Sequence, residues 1–223
     1  LGAQAQVDVV IHHIAEWLQK FIGSTTLLKT VQIIVNSVCN CFCMMCDVGL
    51  HRNAMYKGYI GGKRFGFIDN LCAYKQSEDK LLLEEYFKFI ETLPEKTQVY
   101  INSTEPLLYK DLFRLVEFIS RSGHSVFVTT NGLLLKKFVH KIAKSQITNL
   151  CVSIDGPEHI HDTIRGIPGL FKEVYSGVHE LRRLRPDMYI RTSTAISNIN
   201  QAHLIELADV CKIFNFNQCF LTI

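Results

Sequence analysis

The spacing of hydrophobic residues changes repeatedly along the chain and divides it into alternating strands and helices. Short runs rich in β-branched and aromatic residues predict six strands, at 31–35, 97–102, 125–130, 148–154, 188–194 and 217–223. Stretches whose apolar residues recur three and four positions apart predict helices at 79–93, 110–120, 136–145, 170–184 and 201–214. This alternation predicts parallel strands joined by right-handed crossovers, either in a doubly wound sheet or in a β/α barrel.

The first part of the chain follows a different pattern. Over residues 7–22 the apolar side chains share one face of a helix, which Gly23 ends. The polar face carries Lys20 as its single cation, which favours packing on the domain over binding to a membrane surface. We therefore expect residues 1–28 to form an N-terminal helical extension and residues 29–223 to form the main domain.

Composition narrows the class of protein. Apolar residues make up 48% of the 223 residues and charged residues 20%, which excludes a disordered chain. The net charge of +3 is too small to predict a nucleic-acid partner. No run of 18 apolar residues predicts a membrane span, and no secretory leader is recognisable, so we expect a cytoplasmic protein. The chain starts at Leu1 and stops inside an apolar run, which suggests a domain truncated after its sixth strand.

The loops after the predicted strands carry the distinctive residues. In α/β folds, ligands bind at the carboxyl ends of the strands, so these loops should meet at one rim. They contain the cysteines after strand one, then 103–106, 130–132 and 155–157. The long segment 47–78, rich in glycine and aromatic residues, is either a cover for this rim or a surface insertion.

Four of the eight cysteines fall close together, at Cys39, Cys41, Cys43 and Cys46. Cys39, Cys43 and Cys46 have the spacing C-x3-C-x2-C, and thiolates on a tight loop can reach different corners of one iron–sulfur cluster. Three ligands leave one iron open to a small molecule. The alternative is a zinc site, although zinc knuckles pair C-x2-C with a second, distant pair. Cys41 is a spare ligand, a core thiol or a redox-sensitive bystander.

The cysteine spacing at the end of a first strand resembles that of radical S-adenosylmethionine (SAM) enzymes. Further family landmarks follow in order. Residues 103–106 stand where the family has Gly-Gly-Glu-Pro, and 129–132 match its Thr-Asn-Gly ending. Residues 152–157, with His-Asp and Ile-Arg-Gly in 161–166, are similar to the sulfatase-maturase and peptide-modifying (SPASM-type) branch. The resemblance implies a partial (β/α)6 TIM-like barrel, the radical SAM core.

The resemblance also implies the cofactors and the chemistry. Cys39, Cys43 and Cys46 would hold a [4Fe–4S] cluster, with SAM on the fourth iron. An external one-electron donor of the flavodoxin or ferredoxin type would drive cleavage of SAM to a 5′-deoxyadenosyl radical. That radical would abstract hydrogen from a substrate, for which a peptide or protein is the expected class. The activity would be of oxidoreductase or transferase type, with the specific reaction and catalytic residues unassigned.

Seven residues match family positions that contact SAM: Met45, Ser103, Thr104, Glu105, Asn131, Ser153 and Arg165. Glu105 would accept a hydrogen bond from the methionyl ammonium, or else it would cap the next helix. Arg165, with Ser153, would meet the methionyl carboxylate, or Arg165 would pair with Asp162. Three of the seven depart from the family pattern. Met45 replaces an aromatic residue, and Ser103 and Thr104 replace glycines.

Two plainer interpretations accompany these assignments. Asn131 and the glycine after it are also explained by an ordinary turn.

The alternative function is a non-catalytic or degenerate iron–sulfur or zinc module with a redox-sensing or scaffolding role. Mutation of Cys41 separates the two functions, because an electron carrier would need a fourth cysteine ligand. His159 and His161 are candidate acid–base groups on the substrate side.

Overall fold

The computed structural model describes residues 29–36, 38–46, 82–102 and 104–222. The predicted N-terminal helix over 7–22 and the segment 47–78 lie outside the described residues, as does Ser103.

The described chain contains one sheet of six parallel strands, as the alternation of patterns predicts. The strands are β1 (Thr30–Ile33), β2 (Gln98–Ile101), β3 (Ser125–Thr130), β4 (Ile147–Ser153), β5 (Tyr189–Ala195) and β6 (Gln218–Thr222). They lie side by side in chain order, β1-β2-β3-β4-β5-β6, and each pairs in parallel with the next. Each crossover therefore moves one strand along in the same direction, which is the topology of a partial β/α barrel.

Six α-helices lie between the described strands. They are α1 (Leu83–Glu91), α2 (Leu112–Arg121), α3 (Leu135–Lys144), α4 (Glu158–Arg165), α5 (Leu170–Leu184) and α6 (Leu204–Ile213). Five of them match the predicted helices, with ends that differ by a few residues. Helix α4 was not predicted, because only His161 and Ile164 of its residues are buried and no apolar periodicity marks it.

The two faces of the sheet differ in burial. Neighbouring positions on one face, Ile101, Val128, Leu150 and Ile190, are buried in the hydrophobic core that the helices share. The opposite face carries half-buried residues, including Tyr100, Phe127 and Arg191. The core therefore lies between the sheet and the helices, and the opposite face is less buried.

No helix within the described ranges is long and apolar enough to cross a lipid bilayer.

Candidate active site at the carboxyl ends of the strands

The cysteine loop, residues 38–46, follows β1 and docks on the end of helix α4. The amide of Phe42 donates to the carbonyl of Arg165 at 3.0 Å, and that of Met44 donates to Ile164 at 2.8 Å. These carbonyls belong to the last turn of α4, where helical partners are missing. Gly166 permits the contact, because a Cβ there would lie 2.8 Å from the carbonyl oxygen of Phe42.

The cysteines of the loop differ in exposure. Cys41 is fully buried, Cys43 is buried, Cys39 is half-buried and Cys46 is exposed. The Cys41 thiol is hydrogen-bonded with Cys39 and Cys43, which together with burial raises its pKa. The hydrogen bond from Cys41, aided by Arg165 against the effect of burial, lowers the pKa of Cys43 to about 7. Thiolate character, which a metal ligand needs, is thus favoured at Cys43.

Two donors face the sulfurs of the predicted cluster ligands. Arg165 Nη1 lies 3.7 Å from Cys43 Sγ, and Asn131 Nδ2 lies 3.7 Å from Cys39 Sγ. Hydrogen bonds to cysteine sulfurs are a usual feature of iron–sulfur sites, so this donor set fits a cluster. Across the described ranges, no three His, Cys, Asp or Glu side chains are gathered as ligands of a single ion. The ligands of an iron–sulfur cluster need not converge on one ion, because each binds a different iron.

Arg165 is held by a buried carboxylate. Its Nε donates to Asp155 Oδ2 at 2.6 Å and its Nη2 to Asp155 Oδ1 at 3.2 Å, a bidentate pair. Burial raises the pKa of Asp155, and Arg165 opposes the rise. Asp162, the partner considered from the sequence, instead accepts from the amides of Gly169 and Phe171, at 2.6 and 2.8 Å.

His161 lies behind this ion pair and is fully buried. Its Nδ1 accepts from the amide of Asp155 at 3.2 Å, so the ring is neutral there, although Asp155 Oδ2 is only 3.7 Å away. Burial, and then the charge of Arg165, lower the pKa of His161 to about 3. This environment suits a structural role. His159, the other candidate acid–base histidine, is exposed and packs edge-on against His203.

Glu105 is fully buried where the loops after β2 and β3 meet. Its carboxylate accepts from the amide of Leu107 at 3.0 Å, the hydroxyl of Thr130 at 2.9 Å and the amide of Asn131 at 2.8 Å. Burial raises its pKa to about 7. Glu105 thus caps the 3-10 turn Pro106–Leu108, which was the alternative interpretation, and also ties two loops together.

The backbone of Glu105 extends this link to the cysteine loop. Its amide donates to the carbonyl of Val38 at 3.1 Å, and its carbonyl accepts from Asn36 Nδ2 at 3.0 Å. The hydroxyl of Thr104 lies 2.7 Å from both the carbonyl oxygen and the side-chain oxygen of Asn36, which share its single proton. Three of the four predicted rim loops therefore meet around Glu105.

Asn131 combines the two roles considered from the sequence. Its Oδ1 accepts from the amide of Leu133 at 2.9 Å, the expected turn. Its Nδ2 donates to Asn40 Oδ1 at 2.7 Å and faces the sulfur of Cys39. Asn131 is therefore a contact between the loop after β3 and the cysteine loop.

A family model decides the assignment. The model described as the Radical SAM superfamily matches residues 33–211, most of the chain. The chain belongs to the radical SAM superfamily. This confirms the predicted resemblance, and the family implies a [4Fe–4S] cluster and SAM as cofactors.

Curated relatives share the sequence over part of the radical SAM chain. "GTP 3',8-cyclase" of Campylobacter jejuni (strain RM1221) is 31% identical over 144 residues, covering 62% of this chain and 44% of that protein. "AdoMet-dependent heme synthase" of Methanosarcina barkeri is 29% identical over 137 residues, covering 60% of this chain and 39% of that protein. The chain thus matches less than half the length of these relatives.

Solved structures match the radical SAM fold. Streptococcus suis SuiB bound to precursor peptide SuiA aligns with a TM-score of 0.63 at 14% identity, covering 94% of this chain and 43% of SuiB. Native anSMEcpe with bound AdoMet aligns with a TM-score of 0.63 at 16% identity, covering 86% of this chain and 51% of that one. These likenesses concern the fold and confirm the partial TIM-like barrel.

The remaining predicted residues of the radical SAM site lie at its border. Met45 is half-buried in the turn that Cys46 closes, where the Cys46 amide donates to the Cys43 carbonyl at 3.3 Å. Ser153 is half-buried at the end of β4, opposite Ser193 of β5. Among the described residues, no side-chain hydrogen bond links Met45 or Ser153 to the cysteine loop.

Sequence reasoning missed Asn200, which lies in the loop after β5 and is fully buried. Its Nδ2 donates to the carbonyl of Asp155 at 3.0 Å and to that of Ala195 at 2.9 Å. It thereby connects the loop after β5 to the loop that carries Asp155. The available signal was its position just beyond a predicted strand, which it shares with many turn residues.

Proposed function

We propose that this chain is the catalytic core of a radical SAM enzyme that removes a hydrogen atom from an unactivated carbon of its substrate. When bound, the cluster and SAM, with one electron from a flavodoxin- or ferredoxin-type donor, would supply a 5′-deoxyadenosyl radical. The observation that carries the proposal is Arg165, which lies at 3.7 Å from a cysteine sulfur while a buried carboxylate holds it at the rim.

Cys39, Cys43 and Cys46 are the proposed cluster ligands. They share one loop, and the backbone hydrogen bonds of Phe42 and Met44 fix that loop without using any thiol. The three sulfurs can therefore bind three different irons, which leaves the fourth iron for a small molecule.

Arg165 is the proposed contact for the carboxylate of SAM. A guanidinium carries five N–H groups, and three of them face Asp155 and Cys43. Two N–H groups remain for a carboxylate beside the cysteine loop. Asp155 fixes the orientation of the guanidinium, and Ser153 at the neighbouring strand end adds a hydroxyl donor.

The loop after β2, with Ser103, Thr104 and Glu105, is the proposed edge for the ammonium of SAM. The carboxylate of Glu105 is buried and accepts three hydrogen bonds, which supports a role in holding this loop in position. Its direct contact with the ammonium stays a prediction from the resemblance. Asn131 would support the Cys39 side of the site, and Met45 would pack against the adenine.

The proposed substrate class is a peptide or protein. The support is the likeness of 152–166 to the peptide-modifying branch, together with the fold shared with SuiB, whose structure holds a precursor peptide. The names of the curated relatives point instead to GTP and to heme synthesis, so the family core itself serves several substrates.

The test starts from protein reconstituted anaerobically with iron and sulfide. We expect that, after dithionite and SAM are added, 5′-deoxyadenosine accumulates and that the Cys43→Ala variant forms none. An assembled cluster without product would contradict the proposal, as would bound zinc without iron.

The second candidate is a non-catalytic iron–sulfur module, which the position of Cys41 favours. Its thiol is hydrogen-bonded with both Cys39 and Cys43, so a fourth sulfur lies at the site. In Cys41→Ala, an enzyme with three cysteine ligands keeps its iron content, whereas an electron carrier with four loses it. We expect iron to be retained.

A further inference from the structure

Arg191 lies in the middle of β5, on the sheet face opposite the helices, among three aromatic rings. Its guanidinium carbon is 4.7 Å from the ring centre of Phe220, 5.5 Å from that of Tyr100 and 5.7 Å from that of Phe127. Tyr100 and Phe127 stack on each other with ring centres 4.5 Å apart. The rings stabilise the cation and hold it on this face.

The guanidinium has no carboxylate partner among the described residues. Its Nε is buried without a hydrogen-bond acceptor, and none of the ion pairs in the described ranges includes it. Its neighbour across the β4 ladder is Cys151, to whose sulfur the guanidinium is hydrogen-bonded. Burial raises the pKa of Cys151, and the charge and hydrogen bond of Arg191 oppose the rise. A guanidinium with one buried, unpartnered N–H and no carboxylate beside it is unfavourable, and an incoming anion would offset its charge.

Other arginines of the described chain have oxygen acceptors for their guanidinium groups. Arg165 pairs with Asp155, while Arg182 donates to the carbonyls of Met188 and Asn215 at 2.6 Å each. Arg191 therefore stands out as a guanidinium whose ring contacts leave its N–H edge without an oxygen acceptor.

The location of Arg191 connects it to the proposed active site. It precedes Ser193 by two residues on β5, and Ser193 lies opposite Ser153 at the rim. Two residues of a strand span about 7 Å, so Arg191 lies one step below the rim on the open face. A substrate whose reacting carbon sits at the rim could place an oxyanion there.

We propose that Arg191 is the anion-binding residue of the substrate site and takes a carboxylate or phosphate group of the substrate. A planar guanidinium that has no oxygen acceptor in the described chain fits the two oxygens of either group. The stacked Tyr100 and Phe127 and the ring of Phe220 hold the fork in place. This assignment rests on the proposed function, because it takes the rim as the site of reaction.

The test titrates the cluster-loaded protein with benzoate, phenyl phosphate and neutral benzyl alcohol, followed by ligand NMR. We expect at least one of the two anions to bind saturably, and the neutral alcohol to bind more weakly. Preference for benzoate identifies a carboxylate substrate, and preference for phenyl phosphate identifies a phosphorylated one. Absence of binding by both anions overturns the proposal.

Variants show whether Arg191 is the site. We expect Arg191→Gln to weaken anion binding at least tenfold, and Arg191→Lys to weaken it less because the charge is kept. The control is Arg121→Gln, an exposed arginine paired with Glu117, which should bind the anion like the parent chain. Equal affinity in Arg191→Gln and the parent overturns the assignment.

Two measurements separate folding and chemistry from binding. Circular dichroism checks that Arg191→Gln is folded, and Phe220→Leu, which keeps the charge but removes a supporting ring, should weaken anion binding about threefold. An unchanged affinity in Phe220→Leu would contradict the role of the rings. The titration needs neither SAM nor reductant, so a failure of 5′-deoxyadenosine formation and a failure of anion binding are seen independently.

Discussion

Asp155 joins three polar contacts that come from different parts of the chain. Its carboxylate holds Arg165, its amide donates to His161, and its carbonyl accepts from Asn200. The sequence placed Arg165 in a stretch that resembles the family, but the ion-pair partner considered for it was Asp162, whereas the structure pairs it with Asp155. That choice depends on how helix α4 turns against the end of β4, which local sequence does not reveal.

The buried neutral state of His161 predicts a pH dependence of stability. The folded pKa of about 3 lies below the unfolded value of about 6.5. The neutral imidazole of His161 therefore costs no stability above pH 6.5. As pH falls from 6.5 toward 3, the unfolded chain binds a proton that the folded chain does not, and stability is lost. Between pH 7 and pH 5 the parent chain should lose about 2 kcal/mol more than His161→Asn, as measured by urea unfolding.

The matched control is His159→Asn, which changes an exposed histidine of the same helix. It should keep the pH dependence of the parent chain. If His161→Asn loses stability in parallel with the parent between pH 7 and pH 5, the histidine is not held neutral.

Helix α4 and the cysteine loop form one unit at the level of elements. The loop supplies two amides to carbonyls of the last turn of the helix, and Gly166 ends the helix with φ +68°. The sequence revealed the loop through its cysteine spacing. It did not reveal the helix, because eight largely polar residues give too short a pattern for periodicity to be read.

Gly166→Ala should loosen this unit. A side chain at positive φ costs about 1–2 kcal/mol, and here the added Cβ would also lie 2.8 Å from the Phe42 carbonyl oxygen. We expect a larger loss of unfolding free energy than from positive φ alone, together with less iron per chain after reconstitution. Urea unfolding and iron analysis measure the two effects.

Gly123→Ala is the control for backbone strain. Gly123 has φ +84°, and a Cβ there meets nothing within 4 Å. The Gly123→Ala variant should lose about 1–2 kcal/mol of unfolding free energy and keep its iron. Equal iron content in the two variants would show that the contact with Phe42 does not matter for the cysteine loop.

The whole molecule follows from a few general rules. Alternating patterns and right-handed crossovers predicted six parallel strands, and the sheet has them in chain order. The contacts between loops were not predictable, because Asn36, Asn40 and Asn200 carry no pattern and meet their partners only through the fold. The ring cluster around Arg191 likewise gathers residues from four strands that are far apart in sequence.

Removal of the cluster should lower the stability of the whole domain. A group that binds the folded state and not the unfolded state stabilises by linkage, and about 1 kcal/mol corresponds to roughly 2–4 °C in a domain of this size. We expect the Tm of the cluster-loaded chain to fall by at least about 4 °C after iron chelation. Cys46→Ala, treated in the same way, should show no fall; a similar fall in this variant would mean that chelation acts elsewhere.

The backbone hydrogen bonds of Phe42 and Met44 to helix α4 determine at which stage the cysteine loop becomes ordered. These hydrogen bonds use no sulfur, so the loop loses its conformational entropy when the polypeptide folds. Iron and sulfide would then arrive at a template whose shape is already set. A cluster destroyed by oxygen would leave that template standing, and repair would require new inorganic ions without a second folding event.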